Sequence, residues 1–424
     1  TMKEVKTTVD ALEVGMYVSR LDRPWIDTPY DLEGIRIYSK TDIAALKRYT
    51  SFVFVDTEKG PTPDPEHWLS ISAEDMRFQV NDDDAVVSLN IKKQPKKKIN
   101  ELNKLRKAFY EIETEFHEEL KESKEIKQRI EKDFKKVLTN LNKGEDLDVS
   151  TLKDGIHAAV SSIIRNPSAF ALLAQLEKTN EYSYSHALST SIWCAQFGRH
   201  LGFEAGEIEE LALGGMLLDL GKSKLPPALL NKGNEITAED ILLIQKHVDY
   251  GVRILLKTDG ISKNVIQMVA THHERANGKG YPQNLKKDQI PIYGRIAGIV
   301  DSYDAMTTTR PYSNVTYSPN DAINELYNLR ETSFQGELVE QFIQTVGLYP
   351  TGSLVELSSG AVAIVLEVND LKRMYPTVMI VLDQMKRPLD EFETVNLADD
   401  RTGLQVKKGL EAGAFGIKSE ELFI

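Results

Sequence analysis

Histidines and aspartates recur through the middle of the chain, and metal binding is the chemistry that this combination could support. The candidate residues are His186, Asp219, His247, His272, His273 and Asp301. Imidazole nitrogens and carboxylate oxygens are ligands that suit first-row transition metals. A single histidine on an apolar helix is usually structural, but the adjacent His272 and His273 would each need a buried polar partner if no metal were bound. The series therefore indicates a metal site.

Helical patterns predict the elements that must position these side chains. Residues 150–348 show helical periodicity without sustained β alternation. Thr237–Asp240 carries an N-cap with an acidic third position, the pattern that opens a helix. The expected placements are His186 on an apolar-faced helix, Asp219 after an apolar run, His247 on the helix that Thr237 opens, His272 and His273 at the end of a helix that begins near Ser262, and Asp301 on a helix that starts near Pro291. Ligands from several helices can meet in the core of a bundle.

The N-terminal part of the chain predicts a small α/β domain. Tyr17–Ser19, Ile35–Tyr38 and Phe52–Val55 have the composition of strands, and Ser39–Arg48 has the spacing of a short helix. The closely spaced prolines of residues 61–65 then indicate a linker.

Two further segments complete the chain. Residues 99–141 repeat apolar side chains every three or four positions and predict one or two long helices, which could pair with a second copy in a homodimer. Ser353–Leu357, Ala361–Glu367 and Thr377–Leu382 predict strands, with a turn at Ser359–Gly360. The predicted fold class is mainly α, with a small α/β regulatory domain at 1–65, a linker and long helices at 66–147, a helical bundle at 148–350 and a short β-rich extension at 351–424.

Composition excludes several classes of function. The chain has 424 residues, of which 41% are apolar, a formal net charge of −12 and a pI of about 5.3. This charge argues against nucleic-acid binding driven by overall charge. No apolar run predicts a membrane span, and no signal-peptide pattern is present. Because the only cysteine, Cys194, excludes an internal disulfide as well, we expect a cytoplasmic location.

Several motifs, in order along the helical region, carry a family resemblance. His272–Pro282, which reads HHERANGKGYP, resembles the signature loop of HD-GYP domains. The segments that resemble other parts of the same domains are Leu218–Lys222, Leu229–Lys232 and Asp301–Met306, followed by Arg310–Tyr312. Near the N-terminus, Leu12–Val18 and Leu21–Trp25 resemble a small domain of unassigned function that often precedes HD-GYP domains.

The resemblance implies a helical bundle of the HD type that holds two or three metals, usually iron or manganese. Such domains hydrolyse the bacterial messenger cyclic di-GMP to pGpG or on to GMP. One metal would be held by His186, Asp219 and Asp301, and the second by His247, His272, His273 and the bridging Asp219. Two metals in this arrangement can activate a shared water for attack on phosphorus.

The resemblance also implies roles for residues around the metals. Lys222 would neutralise charge on the phosphate and act in catalysis with Asp219. Arg310 and Tyr281 would contact the nucleotide. The Gly280–Tyr281–Pro282 loop would shape the pocket or bind a partner such as a diguanylate cyclase domain.

Three positions depart from the family pattern. Leu218 stands where the family has the histidine of its His-Asp pair, and leucine has no lone pair to offer a metal. We therefore expect one tightly bound divalent metal and a weak second site. Tyr182 stands where three-metal members have glutamate, which argues against a third metal. Asn277 replaces a common aspartate and can still serve as a turn residue.

Three functional hypotheses follow from these residues. The first is a cyclic di-GMP phosphodiesterase whose activity is reduced by Leu218. The second is a module that binds cyclic di-GMP or a protein partner without turnover. The third is a phosphohydrolase for another nucleotide, which the Gly280–Tyr281–Pro282 loop makes the weakest of the three.

Overall fold

The computed structural model describes residues 4–21, 35–37, 39–47, 50–69, 106–176, 182–230, 232, 236–308, 317–369, 375–399, 401–411, 413–417 and 422. The chain forms two compact units, Thr1–Glu111 with Asn369–Met374 and Ile112–Val368 with Tyr375–Ile424. Among the described residues, no helix is both long enough and apolar enough to cross a membrane. The predicted domain limits and the cytoplasmic location stay predictions.

The first unit contains an antiparallel sheet and one helix, which confirms the predicted small α/β domain. Its elements are β1 (Glu4–Thr8), β2 (Tyr17–Leu21), β3 (Ile35–Arg36), α1 (Lys40–Leu46) and β4 (Phe52–Asp56). The strand order is β1-β4-β2-β3, in which β1 was not predicted. Val18, Val53 and Val55 are fully buried and share one apolar core with Leu46 of α1. The predicted end residues Tyr38 and Arg48 lie outside the described residues.

The second unit is mainly helical, as predicted. Its helices are α2 (Phe116–Asn142), α3 (Ser150–Arg165), α4 (Pro167–Leu176), α5 (Tyr182–Leu201), α6 (Ala205–Leu217), α7 (Pro227–Leu230), α8 (Ala238–Gln245), α9 (His247–Leu255), α10 (Lys263–Thr271), α11 (Ile292–Thr307), α12 (Pro319–Asn328) and α13 (Gly336–Val346). α5 and α11 are buried on most of their surface and run through the core. Trp193, Tyr303 and Phe342 pack edge to face there, with ring centroids 5.4 to 6.5 Å apart.

The long-helix prediction is correct for α2 and wrong for the residues before it. Residues 106–115 are not helical, and the side chains of Phe109 and Ile112 are exposed. The earlier members of the predicted apolar stripe, Leu102 and Leu105, lie outside the described residues. The structure therefore describes one long helix, which begins at Phe116.

A polar network holds the start of α2 against the end of α3. The Glu119 carboxylate accepts hydrogen bonds from the Arg165 guanidinium at 2.6 and 3.0 Å and from the Thr114 hydroxyl at 2.6 Å. The Glu113 N–H donates to the Arg165 carbonyl at 2.8 Å, and the Asn166 amide donates to the Thr114 carbonyl at 2.9 Å. Because the residues before α2 bond to α3, they do not continue the helix that their apolar spacing predicted.

The apolar stripe of α2 is covered by other elements of the same chain. Phe116 and Leu120 pack with Leu172 and Leu173 of α4. Further along, the Ile130 side chain lies against Gly155 of α3. This stripe therefore offers no apolar face to a second copy, and the homodimer stays a prediction.

The helix opened by Thr237 ends earlier than predicted. Thr237 is its N-cap and forms the expected capping box with Asp240, but α8 ends at Gln245 and His247 begins the separate helix α9. The His247 Nδ1 donates to the carbonyl of Ile244 at 2.7 Å. The side chain thereby satisfies a carbonyl in the last turn of α8, next to the break between the two helices.

A five-stranded antiparallel sheet forms the C-terminal part of the second unit. Its strands are β5 (Leu354–Leu357), β6 (Val362–Glu367), β7 (Thr377–Leu382), β8 (Pro388–Asn396) and β9 (Val406–Gly409), in the order β8-β7-β6-β5-β9. The three predicted strands and the turn at Gly360, where φ is 87°, are confirmed. β8 was missed because it is an exposed, acidic edge strand with no apolar alternation.

The Glu119 network generates the first testable prediction. Burial raises the pKa of the Glu119 carboxyl, but hydrogen bonds from Arg165, Ser162 and Thr114 outweigh this effect and lower the pKa overall. We expect Glu119→Gln to lower the free energy of unfolding at pH 7 by about 1–3 kcal/mol, since the partly exposed Arg165 loses its carboxylate partner. The ionised carboxylate stabilises the fold above its unfolded-state pKa near 4.5, and this contribution disappears as pH falls through the lower folded-state pKa.

Urea unfolding of wild type and Glu119→Gln across this pH range measures the effect. The difference between the two should be largest at neutral pH and should shrink in acid. Glu125→Gln is the matched control, because Glu125 lies on the exposed face of the same helix. An equal loss of stability in both variants would contradict the prediction.

A close backbone contact joins the turn after α6 to α9. A Cβ at Gly221 would overlap the carbonyl oxygen of His247 and lie 2.5 Å from the backbone nitrogen of Gly251. Backbone atoms cannot move aside as the end of a flexible side chain can, so this position requires glycine. Gly221 follows Asp219 by two residues, so the contact joins the segments that carry Asp219 and His247.

We expect Gly221→Ala to lower the free energy of unfolding by about 1–3 kcal/mol, because the added methyl group forces two backbone segments apart. Thermal and urea unfolding measure the loss. Gly206→Ala in α6 is the control: a Cβ there meets no atom within 4 Å, so alanine should be neutral or stabilise the helix by up to about 1 kcal/mol. A fully stable Gly221→Ala protein would contradict the close contact.

Candidate metal centre

The second unit brings all six candidate ligands together from separate elements. The contributing positions are His186 in α5, Asp219 between α6 and the 3₁₀ turn Leu220–Lys224, His247 at the first residue of α9, His272 and His273 directly after α10, and Asp301 in α11. Each side chain is buried or half-buried. Four of the six positions lie at the end of a helix or directly beside it, and only His186 and Asp301 lie within a helix.

Four of the candidates form a compact cluster. Asp219, His247, His272 and His273 each offer one ligand atom, and these atoms all lie within 4.8 Å of one another. The Asp219 Oδ1 lies 3.4 Å from the His247 Nε2. The rings of His272 and His273 are adjacent, with centroids 4.0 Å apart. Three imidazoles and one carboxylate are a donor set that suits a first-row divalent metal.

Hydrogen bonds to backbone fix the orientation of two of these imidazoles. The Nδ1 of His247 donates to the Ile244 carbonyl and the Nδ1 of His272 donates to the Val269 carbonyl, each at 2.7 Å. Both Nε2 atoms are buried and have no hydrogen-bond partner within the described residues. Buried polar atoms are rarely left in that state, so the cluster fits a metal ion, which would bind both lone pairs.

The electrostatics of the cluster suit a cation. Burial lowers the pKa of His247, lowers that of His272 to about 4, and lowers that of His273 well below its usual value. Burial would raise the pKa of the Asp219 carboxyl, but the positive charges beside it, that of Lys222 first, outweigh burial and hold the pKa well below the usual range. At neutral pH the imidazoles are therefore unprotonated and the carboxylate is ionised, as metal binding requires.

The two remaining candidates, His186 and Asp301, lie beside this cluster. The His186 Nε2 is 3.2 Å from an Asp301 oxygen and 3.5 Å from Asp219 Oδ2. The Asp301 Oδ2 is 3.8 Å from the His273 Nδ1. Leu218 is buried and contributes no donor atom. Burial lowers the pKa of His186, but hydrogen bonds with Asp301 and Asp304 outweigh this and raise it to about 10.

Asp304 belongs to this site and was missed by the sequence analysis. Its Oδ2 accepts a hydrogen bond from the His186 Nδ1 at 2.6 Å, and its Oδ1 accepts one from the Ser189 hydroxyl. With its Nδ1 bonded to Asp304, His186 directs its Nε2 at Asp219 and Asp301. Metal-binding histidines are commonly oriented in this way by a carboxylate on their other nitrogen. The available signal was its position three residues after Asp301, which places both carboxylates on one face of α11.

The other predicted site residues have mixed outcomes. The Lys222 Nζ lies 2.6 Å from Asp219 Oδ2, so this cation borders the cluster. The Tyr281 ring stacks on His273 at a centroid distance of 4.6 Å. Asn277 acts as a turn residue, accepting the Lys279 N–H at 2.9 Å. Arg310 and the Tyr182 side chain lie outside the described residues, and the functional roles of all these residues stay predictions.

Comparisons with family models divide the chain into two matched regions. Residues 171–338 match the model of the HD domain. Residues 4–152 match the model of a domain of unknown function, DUF3391. The HD match contains all six candidate ligands. The His/Asp cluster therefore lies within a domain of a type that depends on a divalent metal.

Several characterised proteins are similar to this chain. A cyclic di-GMP phosphodiesterase of Pseudomonas aeruginosa is 27% identical over 374 residues, which are 88% of this chain and 84% of that protein. A cyclic di-GMP phosphodiesterase of Thermotoga maritima is 31% identical over 41% of this chain and 49% of its own length. A 3′3′-cGAMP-specific phosphodiesterase of Vibrio cholerae is 30% identical over 41% of this chain and 34% of its own length.

The relatives differ in how much of their length aligns with this chain. The similarity to the Pseudomonas protein extends through most of both chains, whereas the other two alignments cover half or less of each protein. The HD domain at residues 171–338, the signature loop at His272–Pro282 and the similarity to these relatives together support an HD-GYP family protein.

Proposed function

We propose that this protein is a metal-dependent phosphodiesterase that hydrolyses cyclic di-GMP to pGpG, GMP or both. The observation that carries the proposal is the cluster of Asp219, His247, His272 and His273, whose ligand atoms lie within 4.8 Å of one another inside an HD domain. The relatives named as cyclic di-GMP phosphodiesterases support the choice of substrate. The similarity to a 3′3′-cGAMP-specific enzyme makes that cyclic dinucleotide the first competitor to test.

Metal content is part of this proposal. One divalent metal, iron or manganese, is held tightly by Asp219, His247, His272 and His273. His186, Asp301 and the shared Asp219 form a weaker second site, because Leu218 supplies no ligand there. When bound, such a metal polarises phosphoryl oxygens and lowers the pKa of a coordinated water. Imidazole nitrogens suit iron and carboxylate oxygens suit manganese, and elemental analysis of the purified protein distinguishes the two.

The residues around the cluster would bind and orient the dinucleotide. The Lys222 ammonium group, now paired with Asp219, is close enough to the cluster to share its charge with an incoming phosphate. Tyr281 stacks on His273 and so presents its ring beside the metal ligands, where a guanine base could contact it. Arg310 is proposed to contact the nucleotide on the basis of the family motif. The Gly280–Tyr281–Pro282 loop is further proposed as a contact for a diguanylate cyclase domain.

Leu218 supports a second candidate function. Without the histidine of the His-Asp pair, the protein would bind cyclic di-GMP or a protein partner and would not cleave it. Retention of the other six predicted ligands and of Lys222 favours the enzyme. The two functions differ in one observable, which is turnover of a bound dinucleotide.

The first test is hydrolysis of cyclic di-GMP by full-length protein loaded with Fe²⁺ or Mn²⁺ without oxygen, followed by chromatography of the products. We expect turnover that falls by at least about 100-fold in Asp219→Ala, since Asp219 is shared between both proposed metal positions. Asp259→Ala, at an exposed position outside the site, is the control. Dinucleotide binding without turnover in wild type would favour the binding module, and faster cleavage of 3′3′-cGAMP would change the assigned substrate.

Restoring the family histidine is a gain-of-function test. We expect Leu218→His to raise the number of metals retained after gel filtration and to tighten the weaker site about 10–100-fold, because a fourth protein ligand would join His186, Asp301 and the shared Asp219. Elemental analysis and metal titration measure both quantities. Leu218→Met, which keeps an apolar side chain of similar volume, is the control. Two tightly retained metals in the wild type would show that the missing ligand has little effect.

A further inference from the structure

The Arg275 side chain extends from the signature loop to α11 and contacts both. Its guanidinium is half-buried, and burial lowers its pKa by more than the charges of Asp301, Tyr281 and Glu274 raise it. In the part of the chain that the structure describes, no carboxylate oxygen pairs with it within 4 Å; its partners are carbonyls, a hydroxyl and an aromatic ring. A partly buried cation that bonds only neutral groups is unusual on stability grounds and needs an explanation.

Arg275 connects two ligand-bearing segments. On one side, its Nη1 donates to the carbonyls of His272 and Glu274, both at 2.9 Å. On the other, its Nη2 donates to the hydroxyl of Ser302 at 3.3 Å, and Ser302 follows Asp301 in α11. The Ser302 hydroxyl is itself held by the Gly298 carbonyl at 2.8 Å. One planar side chain therefore joins the histidine pair to the helix that carries Asp301.

Close packing accompanies these hydrogen bonds. The Arg275 guanidinium carbon lies 5.0 Å from the centroid of the Phe334 ring, within cation–π range. A Cβ at Gly298 would lie 2.9 Å from the His272 carbonyl oxygen, so α11 approaches the histidine turn as closely as its backbone permits. Since His272 is the C-cap of α10, a cation on its carbonyl also suits the negative end of that helix.

We propose that Arg275 is a positioning residue that holds the His272–His273 turn against α11 and thereby sets the affinity of the cluster for a divalent metal. The inference rests on the metal site of the proposed function and adds a residue that is not itself a ligand. The planar guanidinium suits this function, because its Nη1 bonds the histidine turn while its Nη2 bonds α11. Lysine cannot make both sets of bonds with one ammonium group in the same plane.

The experiment compares metal binding by full-length wild type, Arg275→Met, Arg275→Lys and Ser302→Ala. Binding of Mn²⁺ is measured by calorimetry, and the absorption spectrum of Co²⁺ reports ligand geometry. We expect Mn²⁺ affinity to fall about 10–100-fold in Arg275→Met, with a changed Co²⁺ spectrum, and to fall less in Arg275→Lys and Ser302→Ala. Arg253→Met, at an exposed position on α9, is the control and should bind as wild type does. Circular dichroism and thermal unfolding check that each variant is folded.

The outcomes separate this inference from the proposed function. If wild type binds Mn²⁺ and folded Arg275→Met binds it equally well, the inference fails while the metal site stands. If only Arg275→Met is impaired and both Arg275→Lys and Ser302→Ala bind as wild type does, Arg275 acts as a helix cap and not as a connection to α11. If wild type binds no divalent metal, the metal site and this inference fail together. If Arg275→Met does not fold, a loss of affinity in folded Arg275→Lys and Ser302→Ala supports the inference and wild-type affinity in both overturns it.

Discussion

The burial of several ionisable side chains in a helical core is the constraint on which the rest of this structure depends. Among the described residues, the buried Nε2 atoms of His247 and His272 have no hydrogen-bond partner and lie near the ionised carboxylate of Asp219. In an apolar interior such groups are costly unless each is hydrogen-bonded, paired or bound to a metal. A divalent cation satisfies the nitrogens and the carboxylate together, which is why the cluster has the character of a metal site and not of a structural polar network.

Helix ends supply the orientation that these ligands need. The last carbonyls of a helix have no partner within it, and both His247 and His272 use their Nδ1 to bond a carbonyl of that kind. The same bonds direct the Nε2 atoms into the cluster. Around them, the glycine at 221 and the guanidinium of Arg275 bring separate backbone segments close enough for ligands from different helices to meet. The precision of the site therefore depends on residues that never touch a ligand atom.

The two halves of the site are unequal. The four-residue cluster has three imidazoles and one carboxylate, whereas His186 pairs with Asp301 through its Nε2 and with Asp304 through its Nδ1, and the buried Leu218 contributes no donor. His186 is therefore held in place by Asp304, although the neighbouring Leu218 offers no donor atom to a metal.

The sequence by itself determined the ligand types, their order, the helical class and the helix starts at Thr237 and Ser262, because residue type and local spacing are sufficient for these features. It also identified Leu218 as the departure from the family pattern. Only the tertiary structure decided that four of the six ligands form the compact cluster, that Asp304 orients His186, and that α2 begins at Phe116. These features depend on contacts between residues far apart in the chain, such as Glu113 with Arg165, and no local pattern of apolar spacing contains them.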